Sequence, residues 1–230
     1  MAVRLFWRRH ALASLLFLLL LAAAPFALYA WNSGWNGMRG VPTQPRLFSP
    51  ESPFANLMIF GHMVSGALIT ILAPLQLWAW PRRVVPRLHR ASGYAAWAAA
   101  VVTGVLGLLS ILKTGTIGGI WMDAGFAGYG LLLIWAAFNT VQNARAKNFD
   151  AHRRWALRLF VLAIGSWIYR VHYHIWYIAT GGIASNETFS GAFDLVQNVA
   201  FYLPYLMLLE AWFLVEQRRA QSFRSTQTSR

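Results

Sequence analysis

Imidazole and guanidinium groups inside long apolar segments are the features of this chain best suited to chemistry. The chain has six histidines and no cysteine, so any redox or metal group would be held by imidazole rather than by thiolate. His62 lies in one apolar segment, and Arg170, His172 and His174 lie in another. The polar linkers offer no paired nucleophile and base, no zinc-binding HExxH and no phosphate-binding loop. These residue types favour redox or ligand-binding chemistry over hydrolysis.

Helix geometry predicts that two of these imidazoles lie at the same depth in a membrane. His62 is 18 residues before Trp80, the predicted inner end of its segment, and His172 is 18 residues after Arg154, the inner end of the other. At about 1.5 Å per residue, both rings lie roughly 27 Å above the cytoplasmic boundary. Two antiparallel helices would therefore bring the imidazoles to one outer layer.

The outer layer predicts a cofactor site for haem b. Neutral histidines on facing helices are the usual axial ligands of haem iron in helical bundles. His62 would be one ligand and either His172 or His174 the other, while Arg170 would neutralise a propionate. Arg170 and His174 are four residues apart and share a helix face, whereas His172 points elsewhere. The alternative for each histidine is a structural role in a buried hydrogen bond.

A second group of polar residues is predicted at the cytoplasmic boundary: Gln76, His89, Arg90, His152, Arg158 and Glu210. Arg158 and Glu210 are predicted partners, because an unpaired charge at that depth is costly. His152 and His172 are 20 residues apart on one segment, or roughly 30 Å, which is too far for two haems in electronic contact. His89 and His152 are therefore interpreted as structural or headgroup-binding residues.

The elements that position these residues are predicted transmembrane helices. The composition is 57% hydrophobic and only 12% charged, against about 25% charged residues in ordinary soluble domains. Six apolar segments are each long enough to cross a hydrocarbon layer of ~30 Å; they cover residues 11–31, 54–80, 91–112, 123–143, 155–178 and 194–216. The fold class is therefore predicted to be all-α, a six-helix transmembrane bundle.

The first segment also has features of a cleaved secretory signal, since arginines precede it and small residues follow its core. Its apolar stretch is longer than a signal core, which favours an uncleaved helix. We divide the chain into residues 1–53 (first helix and periplasmic loop), 54–178 (a core module of four helices) and 179–230 (outer loop, sixth helix and basic tail).

The distribution of positive charge predicts the orientation. Sixteen of the 20 Lys and Arg residues fall in alternate gaps between the apolar segments or, for Arg158, one turn inside the next segment, and the gaps include both terminal regions. Because cytoplasmic loops retain Lys and Arg, both termini are predicted to be cytoplasmic, in a multi-pass protein of the bacterial inner membrane. The predicted counter-ions are anionic lipid headgroups. Nucleic-acid binding is not expected, because the charge forms no single patch.

Four ordered motifs resemble a known family. They are HMVSG at residue 62, APLQL at 73, HRASGY at 89 and HRRW at 152, followed by Arg170 within its segment. Over residues 54–177 this order resembles a bacterial family of predicted membrane proteins, domain of unknown function 2306. The resemblance implies a multi-helix membrane module with no established biochemical role. The family pattern maps onto His62, Gln76, His89, Arg90, Gly93, His152, Trp155 and Arg170, and does not include His172 or His174.

Three functions remain open at this point. The first is a membrane-embedded redox protein that binds haem b or is coupled to quinone, for which transmembrane cytochromes b and ferric reductases offer a looser analogy. The second is a small anion- or proton-coupled transporter, in which Arg170 recognises an anionic solute and Gln76, Arg158 and Glu210 form the inner gate. The third is a non-catalytic assembly or scaffold subunit. The expected partners are the bilayer and either a membrane redox protein or a second copy of the chain.

Overall fold

The computed structural model describes the backbone of residues 2–78 and 84–228, and the side chains within 11–78 and 84–221. Its regular elements are all helices. They are α1 (Ala2–Met38), α2 (Pro53–Leu77), α3 (Pro86–Thr114), α4 (Gly119–Arg145), α5 (Phe149–Ala163), α6 (Gly165–Thr180), α7 (Ala192–Ala200) and α8 (Leu203–Thr228). Trp80, Arg82 and Arg83, which we predicted at the inner end of the second segment and in the basic turn after it, lie outside the described residues.

Five stretches in the described part of the chain are long and apolar enough to cross a membrane: Ala11–Met38, Pro53–Leu77, Pro86–Thr114, Gly119–Arg145 and Ala192–Gln221. The chain is therefore an all-helical membrane protein. The predicted fifth segment, residues 155–178, is not among these five; it is divided between α5 and α6 and contains two arginines and two histidines, which lower its mean hydropathy.

Small residues let the helices approach closely. At Gly37 of α1, a β-carbon would lie 2.4 Å from the ring of Phe60 on α2, and at Gly104 of α3 it would lie 2.5 Å from Ile134 on α4. Ala100 and Ala137 are fully buried in the core between α3 and α4. Such contacts give dispersion energy where removal from water no longer drives helices together.

Both of the last two predicted segments are interrupted, which the sequence analysis did not anticipate. Ile164 separates α5 from α6, and Phe201 and Tyr202 separate α7 from α8. Pro204 explains the second interruption, because proline has no N–H to donate and its ring crowds the preceding turn. At the first interruption, the N–H of Trp167 donates to the carbonyl of Ile164, three residues back, at 3.0 Å.

Side chains from neighbouring helices replace the hydrogen bonds lost at the α5–α6 interruption. The Tyr129 hydroxyl of α4 donates to the carbonyl of Leu162, and the Thr70 hydroxyl of α2 lies 3.4 Å from the carbonyl of Ala163. Non-helical backbone at membrane depth requires such partners within the protein. The interruption is therefore built into the packing of three helices.

The two interruptions lie at the same level, with Tyr129 between them. The Tyr129 ring packs 4.9 Å from Phe201 and 5.4 Å from Tyr202, centroid to centroid. On its other side, Gly165 leaves room for the same ring, since a β-carbon there would lie 3.0 Å from it. Tyr129 thus joins the two interrupted helix pairs.

We expect Tyr129→Phe to lower the free energy of unfolding by about 1–2 kcal/mol, because it leaves the buried Leu162 carbonyl without its side-chain donor. The measurement is detergent-induced unfolding of the purified protein. Tyr94→Phe is the matched control, since Tyr94 is exposed. Equal stability of the two variants would contradict the proposed role of the Tyr129 hydroxyl.

Candidate functional site

His62 has one ring nitrogen committed and one without a partner. Its Nδ1 lies 2.8 Å from the backbone carbonyl of Thr103 on α3. Because a carbonyl only accepts, Nδ1 carries the proton and the neutral ring presents a lone pair at Nε2. No hydrogen bond to Nε2 is formed by the side chains that the structure describes. Gly107 of α3 makes room for the ring, since a β-carbon there would lie 2.8 Å from Nδ1.

His172 lies at a similar height but is held by other helices. Thr70 of α2 meets Ala163 at the end of α5; His62 is eight residues before Thr70, and His172 is nine residues after Ala163. His172 Nδ1 contacts the Gln197 side-chain amide of α7, and Nε2 lies 2.7 Å from the Tyr205 hydroxyl of α8. Both ring nitrogens are therefore engaged.

The structure does not bring His62 and His172 to a common partner within its described part. His62 packs on α3, whereas His172 faces α7 and α8. His172 would have to release Tyr205 before Nε2 could bind iron. His174 is exposed and lines a shallow depression with Tyr173, Tyr177 and Ile178.

Arg170 lies within electrostatic range of His62 and pairs with no acid among the described residues. Its Nη1 donates to the carbonyl and the hydroxyl of Ser166 at 2.9 and 3.1 Å, and its guanidinium carbon lies 4.4 Å from the centre of the Phe26 ring on α1. The arginine is exposed at the surface of the chain and is close enough to His62 to interact electrostatically. Its charge is unpaired among the described residues.

The inner-layer residues form separate links between helices. Gln76 Nε2 of α2 donates to the Ser92 hydroxyl of α3 at 2.8 Å. His152 of α5 places Nδ1 2.8 Å from the Thr140 carbonyl of α4. His89 is partly buried and Arg90 is exposed at the start of α3. This geometry is that of helix-to-helix connection rather than of one inner cofactor site.

Arg158 and Glu210 form the ion pair that the sequence analysis predicted. Arg158 of α5 donates from Nε and Nη2 to the two carboxylate oxygens of Glu210 on α8, at 2.6 and 2.8 Å. The guanidinium also lies 4.5 Å from the centre of the Trp155 ring and 5.0 Å from that of Phe213. This bidentate contact fastens α8 to α5.

Sequence reasoning missed the role of Asp194, which it treated only as the first residue of the sixth segment. The carboxylate is fully buried and accepts four hydrogen bonds, from the Tyr173 and Ser185 hydroxyls and from the N–H groups of Asn186 and Gly191. Asp194 thereby joins α6, the outer loop and α7. A sequence signal exists, because Asp194 stands three residues after Gly191, where a first-turn acid satisfies the N–H groups of a helix start.

Asn198 was also missed. It is almost fully buried where α7 crosses Gly125 of α4, and neither polar atom of its side-chain amide has a hydrogen-bond partner in the described structure. Nothing in the surrounding geometry explains this.

The family model described as Predicted membrane protein (DUF2306) matches residues 59–213. The match reaches beyond the sequence motifs noted above and includes α7 and the first part of α8. No curated protein and no solved structure is similar enough to this chain to count as a match.

A double-mutant cycle on Arg158→Gln and Glu210→Gln should give a coupling energy of about 1 kcal/mol, because the pair is bidentate and Arg158 is largely buried. The matched control is Arg153 with Glu216, a pair at 3.2 Å whose side chains are 53% and 40% exposed, for which we expect about 0–0.5 kcal/mol. The free energy of unfolding in detergent is measured for each variant. A coupling energy no larger than that of the control would refute the fastening role of Arg158 and Glu210.

Proposed function

Because the chain belongs to the DUF2306 family of predicted membrane proteins, we propose that it acts within the bilayer, as a redox protein with His62 at its site. The ligand is haem b or a quinone. The observation that carries the proposal is the His62 imidazole, whose Nδ1 is fixed to the Thr103 carbonyl while Nε2 has no partner among the described side chains.

The hydrogen bond to Thr103 suits a ligating histidine. Metal-binding imidazoles characteristically donate the N–H of their second nitrogen to a carbonyl or carboxylate, which fixes the tautomer and the ring orientation. A bound haem would supply one-electron chemistry at its iron. The chain's own contribution would be to hold Nε2 in place, with the nearby positive charge of Arg170 favouring an anionic group on the ligand.

A quinone would use the same lone pair differently. With the proton on Nδ1, Nε2 would accept a hydrogen bond from the hydroxyl of a bound quinol and so orient it. The haem and quinone alternatives thus share one residue and one tautomer. His172 has no part in either, because Gln197 and Tyr205 occupy its nitrogens.

We further propose that the chain crosses the membrane six times, with both termini in the cytoplasm. Arg153 of α5 meets Glu216 of α8, and Tyr173 of α6 meets Asp194 of α7. The α5–α6 tract therefore runs antiparallel to Ala192–Gln221 along most of its length. If that stretch crosses the bilayer, α5 and α6 together cross it in the opposite direction.

Single cysteines test this topology cleanly, because the natural chain contains none. Ser190→Cys lies in the linker before α7, and an impermeant maleimide should label it on intact cells. The same reagent should label Gln221→Cys only after the membrane is permeabilised. Both positions are exposed. Labelling of Gln221→Cys on intact cells would overturn the cytoplasmic assignment of the C-terminus.

His62→Ala should abolish the bound redox group, because it removes the Nε2 lone pair. The protein is expressed with haem supplementation and purified; its Soret absorbance and its solvent-extracted quinone are then measured per chain. His174→Ala, which changes an exposed histidine, should leave both values unchanged. Wild-type protein with neither group, or a His62→Ala variant that retains as much as the wild type, would sink the proposal.

A further inference from the structure

Two arginines of this chain provide an internal comparison. Arg158 uses the edge formed by Nε and Nη2 to hold the two oxygens of Glu210. Arg170 uses only Nη1, which donates to Ser166. Its Nε–Nη2 edge, the geometry that matches carboxylate and phosphate, has no partner in the described structure.

No acidic side chain of this chain pairs with Arg170 in the structure. All seven acidic residues fall within the described residues. The ion pairs found there join Glu210 to Arg158 and Glu216 to Arg153, and Asp194 is enclosed by its four donors. An anion bound by Arg170 in this arrangement would therefore come from outside the chain.

A second unused donor lies near Arg170 on α1. The Tyr29 hydroxyl accepts a hydrogen bond from Gln44 Nε2 at 2.6 Å, and its own proton has no acceptor among the described residues. Tyr29 is half-exposed and close enough to Arg170 to interact with it electrostatically. It stands one turn beyond Phe26, whose ring faces the guanidinium.

Arg170 lies on the same side of the chain as a group of interfacial tryptophans. Trp176 is six residues further along α6, about 9 Å, and Trp31 and Trp35 stack at the corresponding part of α1 with ring centres 6.4 Å apart. Tryptophan marks the membrane–water interface, and the Arg170 guanidinium is turned back toward Ser166, one helical turn below its own backbone. A lipid phosphate at its free edge would therefore lie below these tryptophans, where pairing with the guanidinium offsets the cost of that depth.

We propose that the free edge of the Arg170 guanidinium, with the Tyr29 hydroxyl, binds the phosphate of an anionic lipid between α1 and α6, in the leaflet opposite Arg153 and Arg158. Trp167, three residues before Arg170, connects α6 to α1 through its indole N–H, which donates to the Ala22 carbonyl at 3.2 Å. The site shares Arg170 with the redox proposal, in which the same charge favours an anionic group on the ligand, but it does not include His62; the lipid adducts are therefore expected whether or not His62 holds a redox group.

Photo-crosslinking tests the site directly. The full chain is reconstituted with phosphatidylglycerol that carries a diazirine near its headgroup, and crosslinked peptides are mapped by mass spectrometry. We expect adducts within residues 22–29 and 166–173 that fall roughly tenfold in Arg170→Gln, because a bidentate charge-assisted contact is lost. Arg170→Lys should bind at an intermediate level, since it keeps the charge without the fork.

Three comparisons make the result decisive. Arg39→Gln removes an exposed charge near the same end of the bundle and should leave these adducts unchanged. Adducts at the cytoplasmic arginines serve as an internal control for folding and reconstitution. A matching phosphatidylcholine probe, whose quaternary amine is repelled by the guanidinium, should give weaker adducts at the same residues than phosphatidylglycerol does.

The lipid assignment fails if Arg170→Gln and Arg170→Lys both retain wild-type adduct yields. It also fails if millimolar inorganic phosphate displaces the phosphatidylglycerol adducts, because the site would then take a soluble oxyanion. If Arg170→Gln also loses the cytoplasmic adducts, the variant has not folded. The Arg170→Lys variant then decides the test.

Discussion

The need to satisfy backbone polar groups without water is the constraint on which this fold depends. Helices α5 and α7 both end inside the bundle, at one level, and lipid offers no donor to their free carbonyls. The Tyr129 hydroxyl supplies a donor at the end of α5, and the Thr70 hydroxyl, whose shorter bond is to the Gly66 carbonyl at 2.7 Å, lies 3.4 Å from the Ala163 carbonyl. These two side chains connect α4 and α2 to the end of α5.

The interruptions divide the polar residues into two sets with different tasks. On one side, guanidinium and carboxylate groups link α5 to α8 through Arg158 and Glu210. On the other, α6 and α7 share a network of neutral and acidic groups around Asp194 and Gln197. Most of these groups satisfy one another, so their presence in an apolar protein is explained by helix connection alone.

Apolar periodicity and charge predicted much of the architecture, because segment length and apolarity depend on the bilayer more than on detailed packing. The pairing of Arg158 with Glu210 followed from depth arithmetic on two antiparallel helices. The two helix interruptions could not be predicted from the sequence. Pro25 and Pro74 lie within continuous helices, so the presence of Pro204 did not by itself indicate that the last segment is interrupted. The partners of His172 could not be predicted either. The position of a residue along its helix gives its depth in the membrane but not which neighbouring helix its side chain contacts.

His62 and Arg170 differ from the other polar residues of the outer half because each keeps a hydrogen-bonding group without a partner in the described structure. His172 has as suitable a depth and a more polar surrounding, yet its nitrogens are occupied. His62, which is half-buried, and Arg170, which is exposed, each retain unused bonding capacity, whereas the unpaired amide of Asn198 is almost fully buried. A polar group without a partner in a bilayer is costly unless something else binds it. That cost is the physical basis for proposing external ligands at Arg170 and His62.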